Sequence, residues 1–311
     1  MKSFKLMGCL YLGEIGMLNI NTNYAASFAA NAAKQTSSGL DSAMEKLSTG
    51  SRINYAKDDA AGLAISTRLS AEVQGLAMAS RNAANAQSML DTADGALGET
   101  HNLLLRMREL SVQAANGTLV QSDRDAINAE IGQLVEEVER IAQNTSWAGQ
   151  SLINGNGTSA GGKSFTFQVG TQAGGSNYMS IEIDDMRALA LGIGTEGSTT
   201  ADKNYTSGVD TRIGTNTQAN AQSAIGTIDT AINKVSAARA KLGAFSNRLS
   251  SSMTNLDQVA VNLSASKGRI QDADFAAETG NLAKNQILQQ AATAMLAQAN
   301  ASKGSVLTLV R

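Results

Sequence analysis

The sequence predicts a mainly α fold: a long antiparallel helical hairpin packed as a coiled-coil bundle, with a small central insert that contains a β-hairpin. Three observations predict it. Apolar residues return every seven positions in both halves of the 311-residue chain. The chain contains no proline, so nothing in it removes a helical N–H by that route or forces a proline kink. Between the two helical halves, residues 150–222 lose the helical period and fill with Gly, Ser, Thr and Asn.

A first helix is expected over 17–49, with Tyr24, Phe28, Leu40, Met44 and Leu47 as its sparse apolar face. Gly50 interrupts it, because glycine takes a positive φ without steric cost. Asp58 and Asp59 then offer N-caps and favourable charge to a long second helix. That helix runs to about Ala115, where Asn116-Gly117 stops it, and at 1.5 Å per residue it is roughly 80 Å long. Leu76, Ala83, Leu90, Leu97 and Leu104 lie on one row of it, with Ala79, Ala86, Ala93 and Met107 on the next. A third helix is expected over 123–144, capped by Ser122, with Ile127, Ile131, Leu134, Val138 and Ile141 as its stripe.

In the insert, Phe165–Val169 and Met179–Ile183 alternate apolar and polar residues. They read as two strands joined by a loose, turn-rich loop. Residues 194–221 read as an exposed, flexible segment. Helix resumes near Ala221 and continues to about Lys267. Here Ile228, Val235, Leu242, Leu249, Leu256, Leu263 and Ile270 recur every seven residues. A second row, Ile225, Ile232, Met253 and Ala260, is broken by Arg239, Ser246 and Lys267. A break at Gly268 precedes a last helix over roughly 274–303. A seven-residue apolar repeat winds a stripe that only a partner helix covers. Leu76, Leu90, Leu97 and Leu104, with the seven-membered row from Ile228 to Ile270, are therefore the candidate subunit-packing seam.

Composition narrows the function. Net charge is −2, so no basic excess points to nucleic acid. Aromatics are only 4% of the chain. Alanine burial removes little apolar area from water, so the core is thin and contacts between copies are expected to supply stability. No segment is apolar over the length of a membrane span. With one cysteine, Cys9, and one histidine, His101, neither an intrachain disulfide nor a zinc site of the usual kind is available. His101 reads as a solvated surface residue of the second helix. A peptidase would need His-Glu-x-x-His, which one histidine does not supply. No metal, cofactor or catalytic site is expected. Lys2, Lys5 and the run Leu6–Leu12 resemble a short signal segment, but the run soon meets Glu14. Residues 1–16 are read as a non-native extension, with translation starting at Met17.

The segment Leu47-Ser48-Thr49-Gly50-Ser51-Arg52-Ile53-Asn54-Tyr55-Ala56-Lys57-Asp58-Asp59-Ala60-Ala61-Gly62-Leu63-Ala64-Ile65 resembles the N-terminal signature of bacterial flagellins. Ile20-Asn21-Thr22-Asn23 is similar to the family's start, and the block Arg106–Ala114 to another of its motifs. Arg269-Ile270, Asp272–Phe275, Gln286–Ala291 and Leu296–Asn300 complete the resemblance, which spans about 17–153 and 222–311. Two positions depart from it. Lys303-Gly304 stands where flagellins commonly have proline, and Trp147-Ala148-Gly149 replaces the more usual Phe-Asn-Gly.

The resemblance implies a compact flagellin that polymerises into the filament of the bacterial flagellum, secreted to the cell exterior and supporting motility. It implies that 17–50 and 275–311 form an inner-tube domain and that 51–153 with 222–274 form a surrounding helical bundle. Residues 154–221 are then a short variable segment. It further implies an export chaperone at the C-terminal helix, hook-junction and cap proteins as neighbours, and contact of Arg106, Leu110 and Glu130 with the host Toll-like receptor for flagellin. Neither nucleic acid nor membrane is an implied partner. A hook-junction protein shares such terminal helices and is the alternative within structural proteins. A chemoreceptor-like hairpin would normally need a membrane span.

Overall fold

The computed structural model describes residues 22–155, 162–172, 174–194, 215 and 217–309. The fold is mainly α with small antiparallel β elements, as the sequence predicts. Two compact units are present. One is built from the described residues up to Thr67 and from Lys267 onward, the other from Arg68 to Ser266. The division passes through two long helices, α2 (Ala60–Ala114) and α5 (Gln218–Gln271), and not through the loops at 50–59 and 272–274.

In the first unit, α1 (Tyr24–Thr49) pairs with α6 (Phe275–Leu309). The pair is antiparallel. Asn23 donates to the Ala299 carbonyl at 3.1 Å, while Lys46 stands 3.8 Å from Glu278. Asn23 also caps α1, accepting from the Ala26 N–H at 3.1 Å. Gly50 ends α1 at φ 68°, the left-handed cap that glycine adopts without a Cβ penalty. Beyond it, Ser51 bridges antiparallel to Asp272. The Arg52 N–H donates to the Gln271 carbonyl at 2.6 Å, and the Ala273 N–H to the Gly50 carbonyl at 2.9 Å. The two aspartates divide their work. Asp59 caps α2 by accepting from the Gly62 N–H at 2.8 Å. Asp58 accepts from the Tyr55 and Asn54 N–H groups, which holds its carboxyl below the usual carboxylate range. Gly62 is required by close approach: a Cβ there would lie 2.7 Å from Ile53 Cδ1.

In the second unit, the α2 and α5 segments run antiparallel. Their cross-helix contacts advance from Ser80 to Arg108 on α2 while receding from Asp257 to Asp229 on α5, 28 residues on each side. Their apolar rows join one core with α3 (Gln121–Asn144), which contributes Ile127, Ile131, Val135, Val138 and Ala142. The α2–α3 turn is fastened by Arg124, which is buried. It donates to the carbonyls of Ala114 at 3.3 Å and Asn116 at 3.0 Å, satisfying acceptors at the end of α2 that its own ladder leaves open.

The insert begins with β1 (Ser146–Trp147) and β2 (Gln150–Ser151), a tight antiparallel hairpin. Its two turn residues, Ala148 at φ 49° and Gly149 at φ 80°, have the two positive φ values of a type I′ turn. Strands β3 (Lys163–Gln168) and β4 (Tyr178–Ile183) pair antiparallel, with Phe165 opposite Ile181. Phe165, Met179, Ile181 and Ile183 turn to the core, while Ser164, Thr166, Ser180 and Glu182 face out. Both long helices hold this insert. Asn82 donates to the Gln168 carbonyl at 3.1 Å, Lys241 pairs with Asp184 at 2.8 Å, and Phe245 approaches Phe167 with ring centroids 6.5 Å apart. A short helix, α4 (Ala188–Leu191), is placed by buried Asp185. That carboxylate receives Arg187 through Nε and Nη2, and the Ala188 N–H donates to Glu139 at 2.8 Å.

Several boundaries differ from the sequence reading. Helix α1 starts at Tyr24 because Asn23 caps it; residues 17–21, like the extension read into 1–16, lie outside the described residues. Helix α3 starts at Gln121, one residue before the expected cap Ser122, and the carboxylate that folds back on its start is Asp123, 3.4 Å from the Val120 N–H. Helix α5 passes through Gly268 to Gln271. Glycine serves proximity there, since a Cβ would lie 2.7 Å from the Asp272 carboxylate. Helix α6 continues through Gly304 to Leu309, at a cost of about 1 kcal/mol for an interior glycine. β1, β2 and α4 are too short to leave a periodic signal. His101 is half-buried and not fully solvated, and its Nδ1 is screened from solvent without a hydrogen-bond partner. Most of the segment read as flexible, 194–221, lies outside the described residues.

Candidate assembly surfaces

The heptad rows are occupied within the chain. Leu76, Leu90, Leu97 and Leu104 are buried, as are Ile228, Val235, Leu242 and Leu249. All but Leu76 belong to the core that also holds α3 and the insert. Leu256, Leu263 and Ile270 are half-buried. The first part of the candidate seam is thus covered by the subunit itself. Only its last three members retain apolar surface toward solvent.

The first unit has the opposite character. Among the described side chains, the buried apolar residues of α1 are Ala29 and Ala43, and those of α6 are Ala292 and Ala299. Ile53 is buried beside Gly62 and Leu40, Leu47, Leu282 and Leu296 are half-buried, but several large apolar side chains of the helix pair point outward. Tyr24 is 77% exposed, Phe28 79%, Phe275 56%, Ile287 66% and Met295 63%. Of the five residues read as the sparse apolar face of the first helix, Tyr24, Phe28 and Met44 are exposed, while Leu40 and Leu47 are half-buried. The reason is the small cross-section of the pair. Gly39 packs so close to Asn285 that a Cβ would lie 3.0 Å from its Nδ2, and contacts of that kind leave no room for rings between the helices. Burial of large apolar groups normally drives helix pairing, and this pair leaves Tyr24, Phe28, Phe275, Ile287 and Met295 largely in solvent. Sequence periodicity alone does not reveal this, because it marks an apolar residue without saying which molecule covers it.

On the surface of the second unit, Arg106 reaches Glu130 at 3.0 Å and Glu109 at 3.1 Å. Those two carboxylates, Glu130 first, hold its guanidinium above its ordinary pKa. Leu110, grouped with them by motif, is only 3% exposed; it packs inward while its two companions face solvent. A groove of about 420 Å³ lies between α2 and α3, lined by residues including Ala96, Leu103, Glu137 and Ile141. It is shallow, and the Thr145 hydroxyl in its lining donates to the Ile141 carbonyl at 2.6 Å. Among the described residues no helix is long and apolar enough to cross a membrane.

Comparison with known proteins shows which family the chain belongs to. The family profile described as bacterial flagellin N-terminal helical region matches residues 20–158. The companion profile for the C-terminal helical region matches 225–310. The chain belongs to the bacterial flagellin family. It is 42% identical to flagellin of Bacillus subtilis over 306 residues, covering 94% of this chain and all of that one. It is 39% identical to flagellin FlaB1 of Treponema pallidum, covering 94% and 99%. A putative flagellar hook-associated protein of Vibrio parahaemolyticus superimposes with a TM-score of 0.52 at 17% identity, over 69% of this chain and all of that one; at that identity it shows the fold alone. As a flagellin, the chain is a structural subunit of the bacterial flagellar filament, a homopolymer that serves motility. The family is a structural one.

Proposed function

We propose that α1 and α6 are completed by neighbouring copies, and that their ordering is coupled to filament growth. The observation that carries this reading is the outward placement of Tyr24, Phe28, Phe275, Ile287 and Met295 on a pair whose buried apolar residues are alanines. Ordering a residue costs about 1–2 kcal/mol of backbone entropy. Alanine burial offsets little of it, so the pair is marginal alone and gains stability when a second copy covers its rings. Contacts between unlike faces of identical copies give an open helical polymer when their rotation does not close into a ring. On this reading 17–50 and 275–311 form the inner part of the filament. The half-buried end of the α5 row, Leu256, Leu263 and Ile270, adds to the contact, while the rest of the seam is the subunit's own spine.

Deleting 17–50 or 275–311 tests it. Each truncated chain should remain a partly helical monomer that neither elongates filament seeds nor nucleates filaments. Growth by either one overturns the reading.

Three finer assignments follow. The chain is secreted in an unfolded form through the flagellar export route, for which a proline-free chain without disulfides is suited. An export chaperone covers α6, shielding Ile287 and Met295 before assembly, and hook-junction and cap proteins meet the same terminal helices at the filament's ends. Arg106 and Glu130 are accessible enough for the Toll-like receptor for flagellin to read on a free subunit, whereas buried Leu110 would support that surface from beneath. Subunit packing is the primary role of this patch.

A further inference from the structure

The interruptions in the second apolar row of α5 meet a matching polar row on α2. Ser80, Gln87, Asp94, His101 and Arg108 recur every seven residues along α2. Gln87 donates to Ser246 Oγ at 2.7 Å. Asp94 receives Arg239 through both carboxylate oxygens, at 2.8 and 3.2 Å. The outer members reach one helical turn further, Ser80 to Asp257 at 3.2 Å and Arg108 to Asp229 at 2.6 Å. Thus the two polar residues that break the α5 row within this stretch each face the α2 residue able to hydrogen-bond to them.

The apolar rows cannot define this alignment by themselves. They are built of leucine, isoleucine, valine, methionine and alanine with the same seven-residue period on both helices. Sliding one helix by a heptad, roughly 10 Å, sets apolar against apolar again. The polar rungs do not survive the slide. Counting along the rows, a shift in one direction brings Arg239 to Gln87 and leaves Asp94 against Ile232. In the other, Arg239 meets His101 and Asp94 meets Ser246. Either way the half-exposed carboxylate and guanidinium are separated and lose their two charge-assisted hydrogen bonds. A single polar layer is the best-attested means of fixing register between helices.

We propose that two polar rungs, Asp94–Arg239 and Gln87–Ser246, select the axial register in which α2 and α5 pair. They act as a discriminator against one-heptad slips that the apolar seam tolerates. A homopolymer needs this selection, because lateral contacts repeat only if every copy presents its surface at the same height.

Refolding of the full chain under oxidising conditions tests the proposal, in a background with Cys9→Ser. The pair Ser80→Cys with Asp257→Cys reports the native register. Ser80→Cys with Ser250→Cys, and Ser80→Cys with Ser264→Cys, report slips of one heptad in either direction. With the rungs intact, the native cross-link should exceed the slipped ones by on the order of tenfold or more. Replacing all four rung residues with leucine should raise the slipped share by about tenfold. Asp94→Arg should do the same, and adding Arg239→Asp should restore the native share. Native cross-linking alone in both the leucine variant and Asp94→Arg overturns the proposal. If the leucine variant does not refold, Asp94→Arg and its charge-swapped partner decide, and failure of the swap to restore the native register overturns it equally.

Discussion

Phe28 separates subunit stability from polymer stability. Its ring contributes little to the chain that carries it, since 79% of the residue's surface is open. Fully burying a side chain of this class is worth about 1.5–3 kcal/mol. The unrealised share, about four-fifths of that, is roughly 1.2–2.4 kcal/mol. If neighbouring copies cover the ring, Phe28→Ala removes this amount from each added subunit. At 1.4 kcal/mol per tenfold, the critical concentration for growth should rise roughly 7- to 50-fold.

The assay is sedimentation of polymer from a concentration series seeded with filament fragments. Urea unfolding of the unpolymerised subunit is the control, and its midpoint should change by no more than about 0.5 kcal/mol, as for other surface substitutions. An unchanged critical concentration with an intact subunit would refute the reasoning, because the most exposed ring of α1 would then have no role in the contact. A loss of subunit stability as large as the loss of assembly would refute it too, since the ring would be acting within the chain.

Further substitutions test the local arguments. Leu97→Ala, at a fully buried position of the second unit, should cost about 2–5 kcal/mol in chemical unfolding, far more than Phe28→Ala. Asp59→Ala should cost about 0.5–2 kcal/mol through the lost cap on the Gly62 N–H. Ala148→Asn should stabilise the β1–β2 turn by about 0.5–1 kcal/mol, because Ala148 holds φ 49° and asparagine tolerates that region better than alanine; a lower melting temperature would count against the turn geometry. Asp58 has a depressed pKa in the folded chain, chiefly from the Tyr55 N–H. Its contribution is therefore present above the ordinary aspartate range, near pH 3.9, and fades as pH falls through the lower folded value. Asp58→Asn should flatten the unfolding midpoint against pH in that acid window, and an unaltered profile would show that the turn does not draw on this carboxylate.

The long helices were legible because they obey one rule over many turns. Leu90, Leu97 and Leu104 on α2 and Val235, Leu242 and Leu249 on α5 repeat a signal that no single residue can erase. The β3–β4 hairpin was legible for the same reason at period two, with Phe165 and Ile181 facing in. What escaped depended on geometry beyond the window of a pattern. The β1–β2 turn has two residues on each strand, and its conformation rests on two φ values. Gly268 looked like a stop because glycine often is one, yet its role is room for Asp272. Arg239 and Ser246 looked like defects until Asp94 and Gln87 were found across from them. Leu110 shares a motif with Arg106 but faces the other way, a distinction that depends on the helix phase relative to α3.

Tyr24 and Phe28 show why the candidate surface was only half legible. Apolar residues on an amphipathic helix are ordinarily assigned to the nearest core, and the first helix has too few of them to say more. On α1 and α6 the structure buries Ala29, Ala43, Ala292 and Ala299, half-buries Leu40, Leu47, Leu282 and Leu296, and leaves the rings outside. For an isolated protein this arrangement forfeits stability, because the apolar area with the largest transfer free energy stays in water. For a subunit it keeps that free energy available until a neighbour arrives. The second unit does the reverse, burying its leucines and branched residues in a core of its own. On the proposed reading the chain contains a part whose stability is its own and a part whose stability depends on concentration. Growth of the polymer, and not folding of the subunit, should then respond most strongly to substitutions on α1 and α6.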